Sequence, residues 1–388
     1  MKKLSFIFSA ILWVFEIFGS ATTAYGMQAP SHSETRYETG ISTSFTLLGM
    51  SDSDLESRLT DIKSLGTTWI RVDFSWNTIQ PDGPREYNWR GYDRVVAAAT
   101  KHQLKVLALI GYAPPWAREP RCKALVKNEE MAQKCNPRSS EEFGGFARAA
   151  VLRYSDKSVR GWEIWNEPNL NAFWKTTQSD NSTFVDPIAY ARFANAAAYQ
   201  IRQHTDAVII TGGLSPLFEP SRSTGMRQSE YLAKLLPHLD HNLFTGVSIH
   251  PYTWPLLPTR AVSYNAFHTV DNGSPKYNLR TVMNSAGWGD KQIWGTEFGA
   301  STKGKRLQAT RHLRPDHVTE AVQAQIIAQG VGEWYDKSNV GPLFVHSDSD
   351  QWLHNNKTEG GFGLRRDDGT KKPAYDALKQ ATQQIRDP

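Results

Sequence analysis

Cysteine is nearly missing from this chain, with Cys122 and Cys135 the only two among 388 residues. So small a supply excludes a scaffold of many disulfides. It also argues against a zinc module, because no histidine lies between the pair and two ligands are too few. Basic blocks are missing too. Lysine and arginine nowhere run together with interleaved aromatics, which argues against nucleic acid as a partner, while the formal charge of +5 hints weakly at acidic partners. Beyond the amino terminus no apolar run approaches the roughly 20 residues a membrane-spanning helix needs. No repeat, low-complexity tract or long linker divides the chain. A single domain is therefore expected, and 39% hydrophobic residues are ample for one large core.

The amino terminus is different in kind. Met1, Lys2 and Lys3 precede an apolar stretch from Leu4 to Phe18 broken only by Ser5, Ser9 and Glu16, and the small residues Gly19, Ser20, Ala21 and Ala24 follow. A basic start, an apolar segment of about fifteen residues and small residues make a secretory leader. Cleavage is expected between Ala21 and Ala29, giving a leader at 1–26 and a mature domain at 27–388; a retained anchor is the lesser reading. The mature protein is then expected to be secreted or periplasmic, with no stable membrane insertion. In that compartment Cys122 and Cys135 are expected to close one disulfide, which by chain entropy stabilises their loop by about 3 kcal/mol. The alternative is two free thiols.

Two stretches carry the chemistry. Residues 161–169, GWEIWNEPN, read as a short buried strand that stops at Pro168, which cannot donate to a sheet ladder. Glu167 is thus held at a strand's carboxyl end. Apolar neighbours such as Trp162, Trp165 and Trp174 would raise its pKa and suit it to an acid role. Residues 291–299, KQIWGTEFG, repeat the design around Glu297. Two carboxylates at the ends of two strands are the arrangement that glycoside hydrolysis needs.

Around them the hydrophobic pattern alternates. Strands are expected at 40–48, 67–74, 104–110, 159–165, 208–212, 245–250, 292–296 and 341–346. Helices are expected at 51–65, 92–102, 141–154, 187–204, 229–236, 278–285, 315–335 and 373–385. Eight strand and helix pairs in order call for a closed parallel (β/α)8 TIM barrel of the α/β class. In such a barrel the loops that follow the strands form the active face, and the longest irregular segments follow strands three, four, six, seven and eight.

With these residues in view, the chain resembles the clan A glycoside hydrolases. GWEIWNEPN together with WGTEFGA is most similar to family 39 and to endo-acting exopolysaccharide hydrolases of bacterial biofilm operons. The resemblance implies that Glu167 is the acid/base and Glu297 the nucleophile of a retaining mechanism. It implies that Arg71 supports the nucleophile, although an ion pair with a barrel carboxylate such as Glu163 is compatible with that role. Asn166 matches the residue that bonds the sugar 2-hydroxyl. Tyr252 matches a donor to Glu297, and His250 matches a residue lining the cleft. Trp116 either floors a subsite or packs the barrel rim. Strand eight departs from the clan, having Phe344-Val345-His346-Ser347-Asp348 where a tryptophan is usual; His346 and Trp352 both remain candidates for that subsite.

Lys303, Lys305, Arg306, Arg311 and Arg314 read as a solvated charged loop, with contact to an acidic polysaccharide the lesser reading. Thirteen tryptophans favour a cleft that stacks sugars, against the alternative of core filler. The last expected helix runs to the end of the sequence, so the carboxyl-terminal β-domain of family 39 xylosidases is not expected. The expectation is a secreted, monomeric, metal- and cofactor-independent retaining β-glycosidase acting on a poly- or oligosaccharide, more in the endo manner than at chain ends. Its rivals are a family 5 mannanase or cellulase and a carbohydrate-binding barrel without turnover.

Overall fold

Eight parallel strands hydrogen-bond in chain order and the last returns to pair with the first, closing a barrel. The structure is a computed structural model, and it describes residues 38–386 apart from 178, 218, 261, 263, 264, 304–316 and 351–357. The leader read at 1–26 lies outside the described residues. The barrel strands are β1 (Thr39–Ser44), β2 (Trp69–Ser75), β3 (Lys105–Gly111), β4 (Val159–Asn166), β7 (Val208–Gly213), β8 (Gly246–Ile249), β9 (Gln292–Phe298) and β10 (Val340–His346). Between β4 and β7 a small hairpin, β5 (Thr176–Thr177) with β6 (Thr183–Phe184), rises from the loop.

The eight outer helices are α1 (Asp52–Ser64), α3 (Arg90–Lys101), α6 (Ser140–Tyr154), α7 (Pro187–Arg202), α8 (Gln228–Leu235), α10 (Leu279–Ser285), α11 (Glu320–Tyr335) and α12 (Pro373–Arg386). Their starts are chemically marked. Ser51, Ser139 and Thr319 accept from backbone N–H groups three residues on, and Asp186 accepts from Ile188 and Ala189, satisfying donors that a helix leaves unpaired. The Thr319 cap is why α11 begins at Glu320. The first strand is shorter than expected because Ser44 takes φ 50° and the chain enters a 3-10 turn, Thr46–Gly49. Four further helices, α2 (Trp76–Ile79), α4 (Pro120–Leu125), α5 (Glu129–Ala132) and α9 (His268–Asp271), are too short for periodicity to reveal. Among the described residues no helix is long and apolar enough to cross a membrane.

Alternation along each strand divides the core in two. On β2, Ile70, Val72 and Phe74 face the helices, while Trp69, Arg71 and Asp73 face the barrel interior. One part of that interior is closed by Trp69, Leu107, Ile210, Trp294 and Phe344, with Trp69 edge-on to Trp294 at 5.6 Å. The interior beyond it is polar, built on Arg71 and Glu163. The tryptophan count proves to be mainly core packing: among the described residues only Trp116 and Trp254 are partly exposed. Trp162, Trp165 and Trp174, expected to flank Glu167, are fully buried in the layer between strands and helices. Cys122 and Cys135 are joined as a disulfide, with Cα atoms 5.9 Å apart, and tie α4 to the segment after α5.

Candidate active site

β4 delivers Glu167 through an irregular backbone. Trp165 and Glu167, on either side of Asn166, take φ 72° and 42°, a region that costs non-glycine residues energy and is retained where surroundings over-determine it. The Glu167 N–H donates to the Gly213 carbonyl at 3.1 Å, fixing this turn to the end of β7. Gly213 has a second task. A Cβ there would lie 2.2 Å from His250 Nε2, so the strand must end in glycine for the imidazole to approach.

Arg71 is the hub. Its Nε donates to Glu163 Oε2 at 2.5 Å, its Nη1 to Glu297 Oε1 at 2.6 Å and Ser42 Oγ at 3.2 Å, and its Nη2 to Asn166 Oδ1 at 2.8 Å. The two roles that sequence reading held side by side are thus played together: Arg71 pairs with Glu163 and supports Glu297. Glu163 Oε1 also accepts from Gly213 N, Thr296 Oγ1 and Ser248 Oγ, so this buried carboxylate is fully partnered.

Glu297 is the penultimate residue of β9 and receives the Tyr252 hydroxyl on Oε2 at 2.9 Å. His250, wholly buried, has Nδ1 2.9 Å from Glu167 Oε1 and 3.6 Å from Glu297 Oε2. Burial alone would raise the Glu297 carboxyl, but His250, Arg71, His346 and the Tyr252 hydroxyl together hold it well below the usual carboxylate range. Burial works against a charged His250, yet the Glu297 and Glu167 carboxylates raise it above the ordinary imidazole value. The site therefore holds one carboxylate firmly ionised beside a second that shares an imidazole with it.

The remaining predicted residues divide. The Asn166 oxygen is taken by Arg71, which leaves its amide N–H groups as the part able to meet a ligand. His346 ends β10 with its ring 5.3 Å from Phe362; burial depresses its pKa although Glu297 opposes that. Trp116 donates Nε1 to the Gln80 carbonyl at 2.8 Å and meets Trp76 edge-on at 5.5 Å, so it packs the rim while staying partly exposed. Trp352 and residues 305–314 of the basic loop lie outside the described residues. Lys303 pairs with Asp350 and Asp367, so it is an anchored side chain and no part of a freely solvated cluster. Sequence reading passed over Phe362, packed on Tyr252, Trp254 and His346, and Asp73 and Tyr112 at the ends of β2 and β3. Among the described residues no group of three or more His, Cys, Asp or Glu side chains could hold a metal ion.

Similarity to known proteins agrees with this geometry. β-Glucosidase 44 of Arabidopsis thaliana is 24% identical over 195 residues, which take in 46% of this chain and only 36% of that protein. A family 39 glycoside hydrolase from Bacteroides cellulosilyticus WH2 superposes with a TM-score of 0.62 at 20% identity, over 90% of this chain and 64% of the other. GH5_18 from Streptomyces cattleya, solved with GlcNAc, gives 0.63 at 13% identity, over 91% and 81%. At such identities the structural likeness speaks for the barrel fold. The sequence model of cellulase, glycosyl hydrolase family 5, matches residues 30–331, most of the chain, and the chain belongs to that family.

Proposed function

We propose that this protein is an exported retaining β-glycosidase that cuts a polysaccharide or exopolysaccharide by double displacement. Glu297 attacks the anomeric carbon, while Glu167 protonates the departing glycosidic oxygen and then deprotonates the incoming water. The observation that carries the reading is the unequal treatment of two neighbouring carboxylates: Glu297 is fixed in its ionised form by Arg71 and Tyr252, whereas Glu167 bonds only a titratable imidazole among the described side chains. One His250 nitrogen in reach of both carboxylates gathers them at one place. Arg71 holds the Asn166 oxygen, which aims the amide at the sugar's 2-hydroxyl. Long connections after β3, β4 and β8 leave the strand ends that carry the site and support internal cleavage.

A second reading narrows the substrate to a β-linked glucan or mannan, and the family 5 match favours it. A barrel that binds carbohydrate without turnover is disfavoured by the intact Arg71, Glu297, Tyr252 and Glu167 network. The test is incubation of the mature protein with a panel of β-linked glycans, sizing the products and reading their first-formed anomer by NMR. Internal fragments with retained configuration are expected. Binding without cleavage would leave only the non-catalytic barrel.

A further inference from the structure

Asp73 is a buried acid that the chemistry above does not use. It closes the inward series Trp69, Arg71, Asp73 on β2, one step nearer the open end of the barrel than Arg71, and is 9% exposed. Its Oδ2 has a single long contact, from the Tyr112 hydroxyl at 3.5 Å, and its Oδ1 is buried with no hydrogen-bond partner. Leaving a buried carboxylate oxygen unpaired is expensive, and folded proteins rarely do so without a reason. Arg71 makes no hydrogen bond to it; the bonds of its guanidinium go to Glu163, Glu297, Ser42 and Asn166.

The surroundings point the same way. Tyr112 sits just past β3 with φ 66°, a left-handed backbone held on a bulky residue, and that turn sets its phenol beside Asp73. Asp73 lies two residues beyond Arg71 on the same inward face of β2, and Arg71 bonds Glu297, so the Asp73 and Tyr112 pair lies on the catalytic side of the barrel interior. Burial raises the Asp73 carboxyl to about 6, with Arg71 opposing the rise and the Glu297 and Glu163 charges adding to it. Its charge is thus held at a cost that a donor from a ligand would relieve.

We infer that Asp73 and the Tyr112 hydroxyl form a hydroxyl clamp on the β2–β3 wall of the cleft, in which Asp73 accepts a hydrogen bond from a ring hydroxyl of the sugar bound over Glu297. The inference rests on the glycosidase reading and adds to it the residue that reads sugar configuration. A stacking aromatic accepts any flat sugar face, whereas an anionic acceptor at a fixed place selects the epimer that puts a hydroxyl there.

The test uses 4-nitrophenyl β-glycosides and β-biosides of gluco, manno, galacto and xylo configuration, with monodeoxy analogues of the preferred one. Asp73→Ala should lower kcat/KM roughly tenfold to a hundredfold, the range for a hydrogen bond to a charged group. Deleting the contacted hydroxyl from the substrate should cost the wild type the same factor and cost Asp73→Ala nothing more. Asp73→Asn, which keeps an acceptor oxygen, should recover part of the loss, and it carries the comparison if the alanine variant does not fold. If every deoxy analogue costs the wild type and both variants alike, Asp73 reads no hydroxyl and a water satisfies it; the clamp is then overturned while the glycosidase reading stands. If the wild type hydrolyses neither these compounds nor any polysaccharide of the β-linked glycan panel, the glycosidase reading itself fails and the clamp falls with it.

Discussion

Tyr252 and Arg71 hold opposite oxygens of Glu297, the hydroxyl on Oε2 at 2.9 Å and the guanidinium on Oε1 at 2.6 Å. One partner is neutral and the other charged, so removing each has a different consequence. Without its hydroxyl Tyr252 still fills its place against His250 and Phe362. Tyr252→Phe should therefore slow turnover roughly tenfold to a hundredfold, the range for a hydrogen bond to a charged group, and move the thermal midpoint little. Initial rates and a melting curve on the same preparation decide it; wild-type rates would return Tyr252 to a packing role.

Arg71→Met has a larger effect, because it strands Glu163 in the barrel interior with its charge uncompensated. Breaking a buried pair from one side costs about 3–5 kcal/mol. We expect loss of that order in denaturant unfolding together with loss of activity. A stable but inactive variant would show that Glu163 takes up a proton at little cost.

Acidification gives a separate check on Glu297. A carboxyl whose folded pKa lies below its unfolded value of about 4.3 contributes stability that is fully present above that value and is lost as pH falls through the folded pKa. Wild type should thus be more stable than Glu297→Gln at neutral pH, and the gap should close below about pH 4. A gap that widens on acidification contradicts the charge assigned to Glu297.

Much of this was legible in the chain. Eight alternating segments are enough to specify a closed barrel, and a glutamate at a strand end with proline or glycine within two residues is enough to bring Glu167 and Glu297 to one face. The Arg71 and Glu163 pair was readable because both fall at inward positions of apolar strands, β2 and β4, that flank β3. What stayed hidden depends on side-chain direction. Trp165 and Trp174 look like cleft residues beside Glu167, yet the left-handed turn at Trp165 drives that ring outward to meet Trp174 edge-on at 5.1 Å. Nothing in the sequence pattern singles out Asp73; its unpartnered Oδ1 becomes visible only in the folded structure.

Gly213 is a small residue with a steric duty. Gly213→Ala would set a methyl against His250 Nε2 and Thr296 Oγ1, at 2.2 and 2.6 Å, and the imidazole would have to withdraw from Glu167. Activity should fall and the His250 titration seen by NMR should move back toward the ordinary imidazole value. Unchanged titration would mean that the backbone absorbs the methyl instead.

The division of labour between the two glutamates makes the sharpest prediction, because their truncations fail differently. Glu167→Ala keeps the nucleophile, so substrates whose leaving group needs no protonation should still form the covalent intermediate. The second step then stalls for want of a base, and azide, which needs no deprotonation, should restore turnover and yield the β-glycosyl azide. Glu297→Ala has lost the attacking group. Azide entering the vacated space should reach the sugar from the opposite face and give the α product. The anomeric configuration of the two adducts, read by NMR, decides the matter: the same anomer from both variants, or an inverted product from the unaltered protein, reverses or removes the roles assigned to Glu167 and Glu297.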